Sequence, residues 1–289
     1  METLLLYSIF NGLIIGIFYA MMALGLSLIL GLNGVINFAH GTFMALGGYL
    51  AFTIEPYVGF WGGLVLAPLL AVILGIATER ILIRPLYGRD PLFSLLLTFG
   101  LAMIMEDLIR TTWGAVGVPF AIPDYLNSPL SNSMFFLTGY RIVLILITVV
   151  VTGALFAVLR FSRIGIRIRA GNADLETISS IGVNILFLRA VNFGIGIFLA
   201  GVAGILAAGQ LGLSPSIGSS LIMPAFVAII VGGVGSLLGS VLGGLIIGIA
   251  SGVTAAFFPA AQEVVMYVIM AMVLIARPRG LLGQEGFFE

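Results

Sequence analysis

The sequence predicts an all-α protein: a polytopic bundle of about eight or nine transmembrane helices with broken or re-entrant segments. Of its 289 residues, 61% are hydrophobic and only 8% are charged, whereas charged residues make up roughly a quarter of a soluble domain. So little polar material cannot cover a globule of this size, so most of the surface must face lipid. The apolar runs are long and continuous, which favours helices over the alternating strands of a β-barrel.

The composition also excludes several kinds of site. The chain has twelve arginines but no lysine, and a phosphate-binding loop needs a lysine, so any nucleotide energy must come from a partner. No cysteine and a single histidine exclude disulfides, thiolate metal sites and His-rich metal centres. With a net charge of zero and no basic stripe, the chain is not expected to bind nucleic acid.

The first two spans lie in residues 3–54, which carry no formal charge and suffice for two crossings of about 20 residues each. A break is expected at 31–34, where two glycines flank Leu32 and Asn33. The run 4–30 alone would make roughly 40 Å of helix against a hydrocarbon core of about 30 Å, so the first span must tilt or bend. Because Glu2 precedes it without any arginine, we interpret it as a retained span and not a signal peptide.

The later spans are predicted from further runs with little or no charge. The run at 190–262 is uncharged throughout, and its glycine, serine and proline clusters at 209–220 and 251–259 predict three crossings, at least one of them broken. The complete set of later runs is 56–78, 91–105, 142–159, 190–262 and 264–276.

Orientation is predicted from the arginines, because short cytoplasmic loops are enriched in them. Ten of the twelve lie in the loops 80–89 and 160–189 and in the tail after 276, so these are predicted to be cytoplasmic, with the N-terminus and the segment 111–140 outside. Termini on opposite sides require an odd number of crossings. Nine is therefore favoured, unless one segment is re-entrant.

Glycines recur at small-xxx-small spacing, which lets helix backbones approach closely. Either a tightly packed bundle interior or an interface that moves during function is consistent with this pattern. The glycines concerned are Gly12, Gly16, Gly235, Gly239, Gly243, Gly244, Gly248 and Gly252.

Three polar residues are expected on one face near the inner end of the second span. Asn33, Asn37 and His40 are spaced at i, i+4 and i+7. Polar groups at membrane depth are costly unless paired or hydrated, so they either line a translocation pathway beside a helix N-terminus or hydrogen-bond neighbouring spans. The region 211–239, with Pro215 and Pro224, is a second candidate for a pathway lining, since freed backbone groups need a cavity or protein around them.

The long inner loop, 160–189, is expected to hold a short helix from 173 to about 181. Asn172 can cap it, Asp174 and Glu176 fall in its first turns, and Gly182 can end it.

The face of this helix that carries Leu175 and Ile178, with Ile181 following, is expected to point to the cytosol. Such a helix either enters a groove on a soluble partner or lies on lipid headgroups with the neighbouring arginines on phosphates.

Four segments resemble signatures of one family. Gly34-Val-Ile-Asn-Phe-Ala-His-Gly41 and the sequence at 47–52 resemble the N-terminal signature of the permease subunits of bacterial ABC importers for branched-chain amino acids. The sequences at 225–244 and 277–283 resemble the C-terminal signatures. The resemblance runs nearly end to end, with residues 1–289 forming a single transmembrane permease domain.

The resemblance implies a subunit of the bacterial inner membrane that pairs with a second, homologous permease. It also implies two cytoplasmic ATPases that alone bind ATP, and an external substrate-binding protein. The segment from Gly165 to Gly182 becomes the ATPase-coupling element, although Thr177 and Ile178 stand where alanines are usual. The implied coupling residues are Gly165, Arg169, Ala170, Asp174, Leu175, Glu176, Ile178 and Gly182, and the expected pathway-lining residues are Asn33, Asn37, His40 and Gly41.

Three alternative functions are weighed against this one. Urea or short amides are cargo of close relatives of this family. A stand-alone secondary transporter would be expected to carry an ionisable residue deep inside a span, and the sequence predicts none, since Glu55, Glu106, Asp107 and Glu263 fall at outer ends. An intramembrane serine protease would have to use His40, and the chain is therefore predicted not to be an enzyme.

Overall fold

The fold is a bundle of helices, as predicted. The computed structural model describes residues 1–128 and 138–283, so the predicted outer segment 111–140 and the C-terminal tail lie partly outside the described residues. The one β-type pairing in the described ranges is an isolated bridge between Val118 and Leu213. The helices are α1 (Glu2–Leu28), α2 (Ala39–Thr78), α3 (Pro91–Trp113), α4 (Asp124–Asn127), α5 (Gly139–Phe161), α6 (Arg163–Ala173), α7 (Leu175–Ser180), α8 (Ile185–Leu211), α9 (Ile217–Gly232), α10 (Leu237–Phe257) and α11 (Val264–Ala276).

Two π turns extend the first two helices at their C-terminal ends. Ile29–Asn33 follows α1 and Glu79–Ile83 follows α2, and a 3₁₀ turn, Arg84–Leu86, comes next. In a π turn each N–H bonds to a carbonyl five residues back, so the turn holds more residues than an α turn. Both spans therefore end in locally widened backbone.

Helix α2 is a hairpin of two arms, 39–58 and 60–78, which meet at Gly59. Gly59 has φ 71°, a conformation that glycine adopts without steric cost. A Cβ added to Gly63 would lie 3.7 Å from the Ala51 carbonyl oxygen, although twelve residues of straight helix span about 18 Å. The second and third spans are thus separate crossings, and the chain reverses at Gly59, just beyond the uncharged run that ends at residue 54.

The glycine spacing brings α1 against α10 in antiparallel orientation. A Cβ on Gly248 would lie 2.1 Å from the Gly16 Cα, and one on Gly252 would lie 2.4 Å from the Gly12 Cα. A second series of glycines, which includes Gly239, packs α10 on α9. A Cβ on Gly239 would lie 2.2 Å from a carbonyl oxygen of α9. The predicted close approach of backbones is confirmed.

Six helices in the described ranges are long and apolar enough to cross a membrane, and α9 and α11 are shorter apolar helices. One of the six candidates covers Ala39–Leu86 and contains both arms of α2. Helix α9 is preceded by non-helical residues 212–216, so the run 190–262 holds three passes, α8, α9 and α10, of which the middle one is broken. With the two arms of α2 counted separately and the shorter α9 and α11 included, the described residues hold nine apolar helical segments.

The contacts place all the arginine-rich loops at one end of the bundle. Asn33 bonds to residues at both 87 and 189, and Gly31 lies against Asn172 of α6. The turn after α9 joins the same end, because Leu237 packs with residues from the end of α1, and Gly233 lies against Gly283 of the C-terminal segment. We call this end, with residues 29–38, 79–90, 160–189, 233–237 and 277–283, the inner end.

Candidate functional site

The segment 34–38, which separates the first π turn from α2, is a non-helical break between two candidate spans. Thr98 of α3 satisfies its backbone: the Phe38 N–H donates to Thr98 Oγ1 at 3.1 Å, and that hydroxyl donates to the Ile36 carbonyl oxygen at 3.0 Å. Non-helical backbone is tolerated in a membrane only where protein or water meets its polar groups. In this segment the Thr98 hydroxyl bonds to two of these backbone groups.

Two of the predicted pathway residues, Asn37 and His40, are fully buried, both at 0% exposure. The Asn37 side chain has no hydrogen-bond partner among the described residues, and the His40 imidazole has the backbone of Met22 within reach. The imidazole is packed so close to α1 that a Cβ on Gly25 would lie 2.7 Å from Nε2. A buried polar group without a partner costs about 1–3 kcal/mol, so this closed arrangement would gain stability if water or a polar solute reached them.

Gly41 does not line a space but lets two broken regions meet. A Cβ on Gly41 would lie 2.4 Å from the carbonyl oxygen of Gly218 in the first turn of α9. The starts of α2 and α9 therefore cross in direct backbone contact, which joins the two regions that the sequence analysis singled out separately. Gly218 was missed as the partner, because one more glycine in a glycine-rich chain gives no signal of its own.

An aromatic cluster flanks the same break and was also missed. The Phe38 ring lies 5.1 Å from the Phe226 ring of α9 and 6.0 Å, edge to face, from the Phe99 ring of α3. Phe38 and Phe226 are half-buried. An apolar surface therefore adjoins the polar pair Asn37 and His40.

Asn33 differs from the other predicted pathway residues, because its side chain is fully engaged in hydrogen bonds. Its amide nitrogen donates to the Tyr87 hydroxyl at 2.7 Å and to the Arg189 carbonyl oxygen at 3.2 Å, and its amide oxygen accepts from Asn192 at 2.9 Å. Asn192 donates in addition to the Leu28 carbonyl oxygen at 2.6 Å. Asn33 thus ties the end of α1 to α8 and to the residues after α2.

The structure places a buried carboxylate in this network, where the sequence analysis expected no ionisable residue inside a span. Glu79 is 0% exposed and lies within the candidate span Ala39–Leu86. It accepts a hydrogen bond from Tyr87 at 2.9 Å and pairs with Arg84 at 3.2 Å. Glu79 was missed because the uncharged run was taken to end at Thr78, whereas the helix continues as a π turn. Paired in this way, it is no free proton carrier.

Tyr87 sits at the centre of these contacts. Burial and the neighbouring Glu79 carboxylate raise its pKa above the ordinary value, so the hydroxyl keeps its proton and donates to Glu79. The Arg189 guanidinium lies 4.3 Å from the centre of the Tyr87 ring, a cation–π contact. We define the inner clamp as Asn33, Glu79, Arg84, Tyr87, Arg189 and Asn192.

The inner loop contains two helices, α6 and α7, where one helix from 173 to 181 was predicted. The cap is Asp174 and not Asn172: its carboxylate accepts from the N–H groups of Glu176 at 2.9 Å and Thr177 at 3.0 Å. Helix α7 begins at Leu175, so Asp174 and not Asn172 is in the position to accept from its first N–H groups. Asn172 lies instead inside α6. Gly182, at φ 85°, follows the helix end as predicted.

The hydrogen bonds from the Thr177 side chain and backbone hold the pKa of Asp174 below its usual range. A depressed pKa means that the contribution of the ionised cap is present above the unfolded-state pKa of about 3.9 and is lost only as the pH falls through the lower folded-state pKa. The cap is therefore ionised throughout the neutral range.

The apolar face of α7 points into the bundle, so its expected exposure to the cytosol was wrong. Ile178 is 5% exposed, and Leu175 is half-buried against Leu188 and residues at the end of α1. Burying both removes apolar surface from water, which favours this orientation. Ile181, in contrast, is 74% exposed.

The remaining predicted coupling residues divide into exposed and packed positions. Gly165 is packed, because a Cβ there would lie 2.3 Å from the Val158 carbonyl oxygen, so it sets the close turn between α5 and α6. The exposed members are Arg169, Ala170, Asp174, Glu176 and Gly182.

Helix α6 rests on the first π turn. A Cβ on Gly171 would lie 2.6 Å from Leu32 Cδ1, and one on Gly31 would lie 3.0 Å from the Asn172 amide nitrogen. Helix α6 of the predicted coupling segment therefore contacts the residues immediately before Asn33 and the break.

Comparison with known proteins gives consistent matches. The model of the family described as "Branched-chain amino acid transport system / permease component" matches residues 8–276. The LivH permease protein of the high-affinity branched-chain amino acid transport system of Escherichia coli K12 is 32% identical over 96% of both chains. The corresponding BraD protein of Pseudomonas aeruginosa is 31% identical over 96% of both chains.

A second kind of permease also aligns. The LivM permease protein of Escherichia coli K12 is 25% identical over 91% of this chain and 67% of its own length. Among solved structures, PsaBC from Streptococcus pneumoniae in complex with Fab aligns with a TM-score of 0.48 and 14% identity, over 92% of this chain and 89% of that chain.

Proposed function

Because the chain belongs to the permease-component family of branched-chain amino acid transport systems, we propose that it forms one part of the membrane pathway of an ABC importer for these amino acids. It is a multi-pass protein of the inner membrane and a transport subunit, not an enzyme. The observation that supports this proposal most directly is the contact of the coupling helices with the π turn that leads into the broken segment.

The partners follow from the same membership. A second, homologous permease is supported by the alignment of this chain with both LivH and LivM proteins. We propose that two ATPases bind the inner end and that a substrate-binding protein delivers cargo to the opposite end. The chain has no lysine, so we expect the ATPases alone to bind ATP.

The inner end is assigned to the cytoplasm. It gathers ten of the twelve arginines, as the positive-inside rule requires. The N-terminus of α1 then lies outside and residue 283 inside, in agreement with nine passes.

The exposed face of α7 is the proposed ATPase contact. Leu175 and Ile178 anchor the helix in the bundle, and Asp174, Glu176 and Ile181 are left exposed on the other side. A short helix with buried anchors and an exposed charged face can transmit force from a soluble partner, because it is fixed to the bundle that must move.

The pathway is proposed to pass the break at 34–38. Asn37 and His40 are fully buried, Asn37 without a hydrogen-bond partner among the described residues, and the Phe38 cluster offers apolar surface beside them. A solute that combines polar groups with a branched apolar side chain matches such a lining. Opening would hydrate the two polar side chains and so recover part of the cost of burying them.

The test is a charge reversal on α7 with a matched control at the other end of the bundle. Glu176→Arg is expected to lower co-purification of the ATPases at least about tenfold, the equivalent of ~1.4 kcal/mol of binding free energy. Glu263→Arg makes the same change at an exposed residue before α11 and is expected to leave co-purification unchanged. Substituting Ile178 would not be a clean test, because its side chain is buried. Normal ATPase association of Glu176→Arg would contradict the assignment.

A further inference from the structure

The inner clamp joins three elements at the one place where both π turns of the described residues meet. Asn33 is the last residue of the first π turn and Glu79 the first residue of the second. Tyr87 connects them, since its hydroxyl accepts from Asn33 at 2.7 Å and donates to Glu79 at 2.9 Å. One hydroxyl group thus links the two π turns.

The clamp is made of groups that are expensive to bury, and most of them are paired, although Arg189 Nε and Asn192 Oδ1 are buried without a partner among the described residues. The Glu79 carboxylate has both a cation and a hydroxyl as partners, and the Asn33 amide is bonded on both its nitrogen and its oxygen. Replacing a buried paired charge with apolar side chains is often neutral or stabilising in proteins. Stability alone therefore gives a weak reason for this cluster.

The position of the clamp suggests what else it does. Gly31 and Leu32 contact α6, Asn33 is held in the clamp, and the break begins at Gly34. A displacement of α6 can therefore reach the segment 34–38 directly through a π turn whose last residue is fixed by Tyr87 and Asn192.

A π turn has one residue more per turn than an α turn. Re-bonding its N–H groups to carbonyls four residues back would shift Asn33 relative to α1. Such a shift would displace the start of the segment 34–38, which contains Asn37. The hydrogen bonds of Asn33 oppose it as long as the clamp is closed.

We propose that the inner clamp is a latch that couples ATPase movement to the pathway, with Tyr87 and Glu79 as positioning residues that hold the first π turn in its closed register. This proposal rests on the proposed function. The clamp touches no solute: it acts by fixing Asn33, and so the segment that follows it.

The experiment uses the complete importer, reconstituted in proteoliposomes with its second permease, ATPases and binding protein. Uptake of radiolabelled leucine and ATP hydrolysis are measured together, and the readout is ATP consumed per leucine imported. Tyr87→Phe removes only the linking hydroxyl and keeps the aromatic ring for Arg189. We expect assembly to be retained and ATP consumed per leucine to rise about tenfold, because one hydrogen bond to a charged group is lost.

The matched control is Tyr140→Phe. Its hydroxyl is also buried and donates to a backbone carbonyl, that of Leu206, at 2.8 Å, but it lies outside the clamp. This variant is expected to keep the wild-type ratio. Glu79→Gln, which keeps an acceptor for Tyr87 but loses the ion pair with Arg84, is expected to fall between Tyr87→Phe and wild type.

The outcomes separate the inference from the function on which it rests. If wild-type complex shows no ATP-dependent leucine uptake, the proposed function fails. If wild type transports but Tyr87→Phe keeps the ratio of Tyr140→Phe, the latch is wrong and the importer stands. Loss of assembly in Tyr87→Phe would assign the hydroxyl to folding and would equally overturn the latch.

Discussion

At the scale of single residues, glycine decides whether helices meet. Gly248 sits where α10 crosses α1, and a Cβ there would fall 2.1 Å from the Gly16 Cα, a distance that backbone atoms cannot accommodate without moving apart. Gly153 of α5, in contrast, has no atom within 4 Å of an added Cβ. The same residue type therefore has opposite roles at the two sites.

Gly248→Ala is expected to destabilise the protein by about 1–3 kcal/mol, the usual range for overpacking. Gly153→Ala is expected to be neutral or stabilising by up to about 1 kcal/mol, because alanine is the better helix former. Thermal unfolding in detergent measures both. Equal melting temperatures of the two variants would show that the α1–α10 contact is looser than described.

At the scale of elements, the asparagine of the broken segment and the asparagine of α8 differ in their hydrogen bonds. Asn37 has no hydrogen-bond partner, whereas Asn192 donates at 2.6 and 2.9 Å. Both side chains are fully buried. The Asn192 amide nitrogen therefore stabilises the present packing, whereas the Asn37 amide adds no hydrogen bond to it.

Asn37→Leu is expected to raise thermal stability by about 1–3 kcal/mol, because it removes an unmet polar group at nearly constant volume, and to lower leucine uptake, because the opened pathway loses a polar side chain. Asn192→Leu, the matched control, is expected to lower stability by a similar amount. The melting temperature of each variant measures the change in stability, and its leucine uptake measures the change in transport. Destabilisation by Asn37→Leu would mean that the amide already has a partner in the closed form.

At the scale of the whole molecule, the nine passes put α7 and residue 263 at opposite ends. Glu176 lies in the arginine-rich inner loop, and Glu263 lies between α10 and α11. Both are exposed. The chain contains no cysteine, so single thiols can be introduced without background.

If the inner end faces the cytoplasm as proposed, Glu263→Cys is expected to react with a membrane-impermeant maleimide in intact cells, and Glu176→Cys only in inverted membrane vesicles. The extent of labelling, read as a shift in mass, is the measurement. Reaction of Glu176→Cys in intact cells would reverse the orientation.

The sequence by itself determined the membrane class and the helical architecture, because hydropathy is set by lipid and depends little on tertiary packing. The orientation stays a prediction from the placement of the arginines. The inner loop was also found from the sequence, but the break lies at 34–38 and not at 31–34, and two helices with Asp174 as the cap replace the one helix expected after Asn172. Only the tertiary structure decided which polar groups are paired. Asn33 and Asn37 are equivalent as residues at i and i+4, yet one lies at the centre of a clamp and the other lacks a partner.

Tertiary structure also decided that Gly41 meets Gly218, that Ile178 faces inward, and that Glu79 is buried. Each of these depends on which element lies opposite, and residues far apart in the chain supply that element. Periodicity describes one helix at a time, so it cannot say what a face will meet; the packing of nine passes against one another supplies that information.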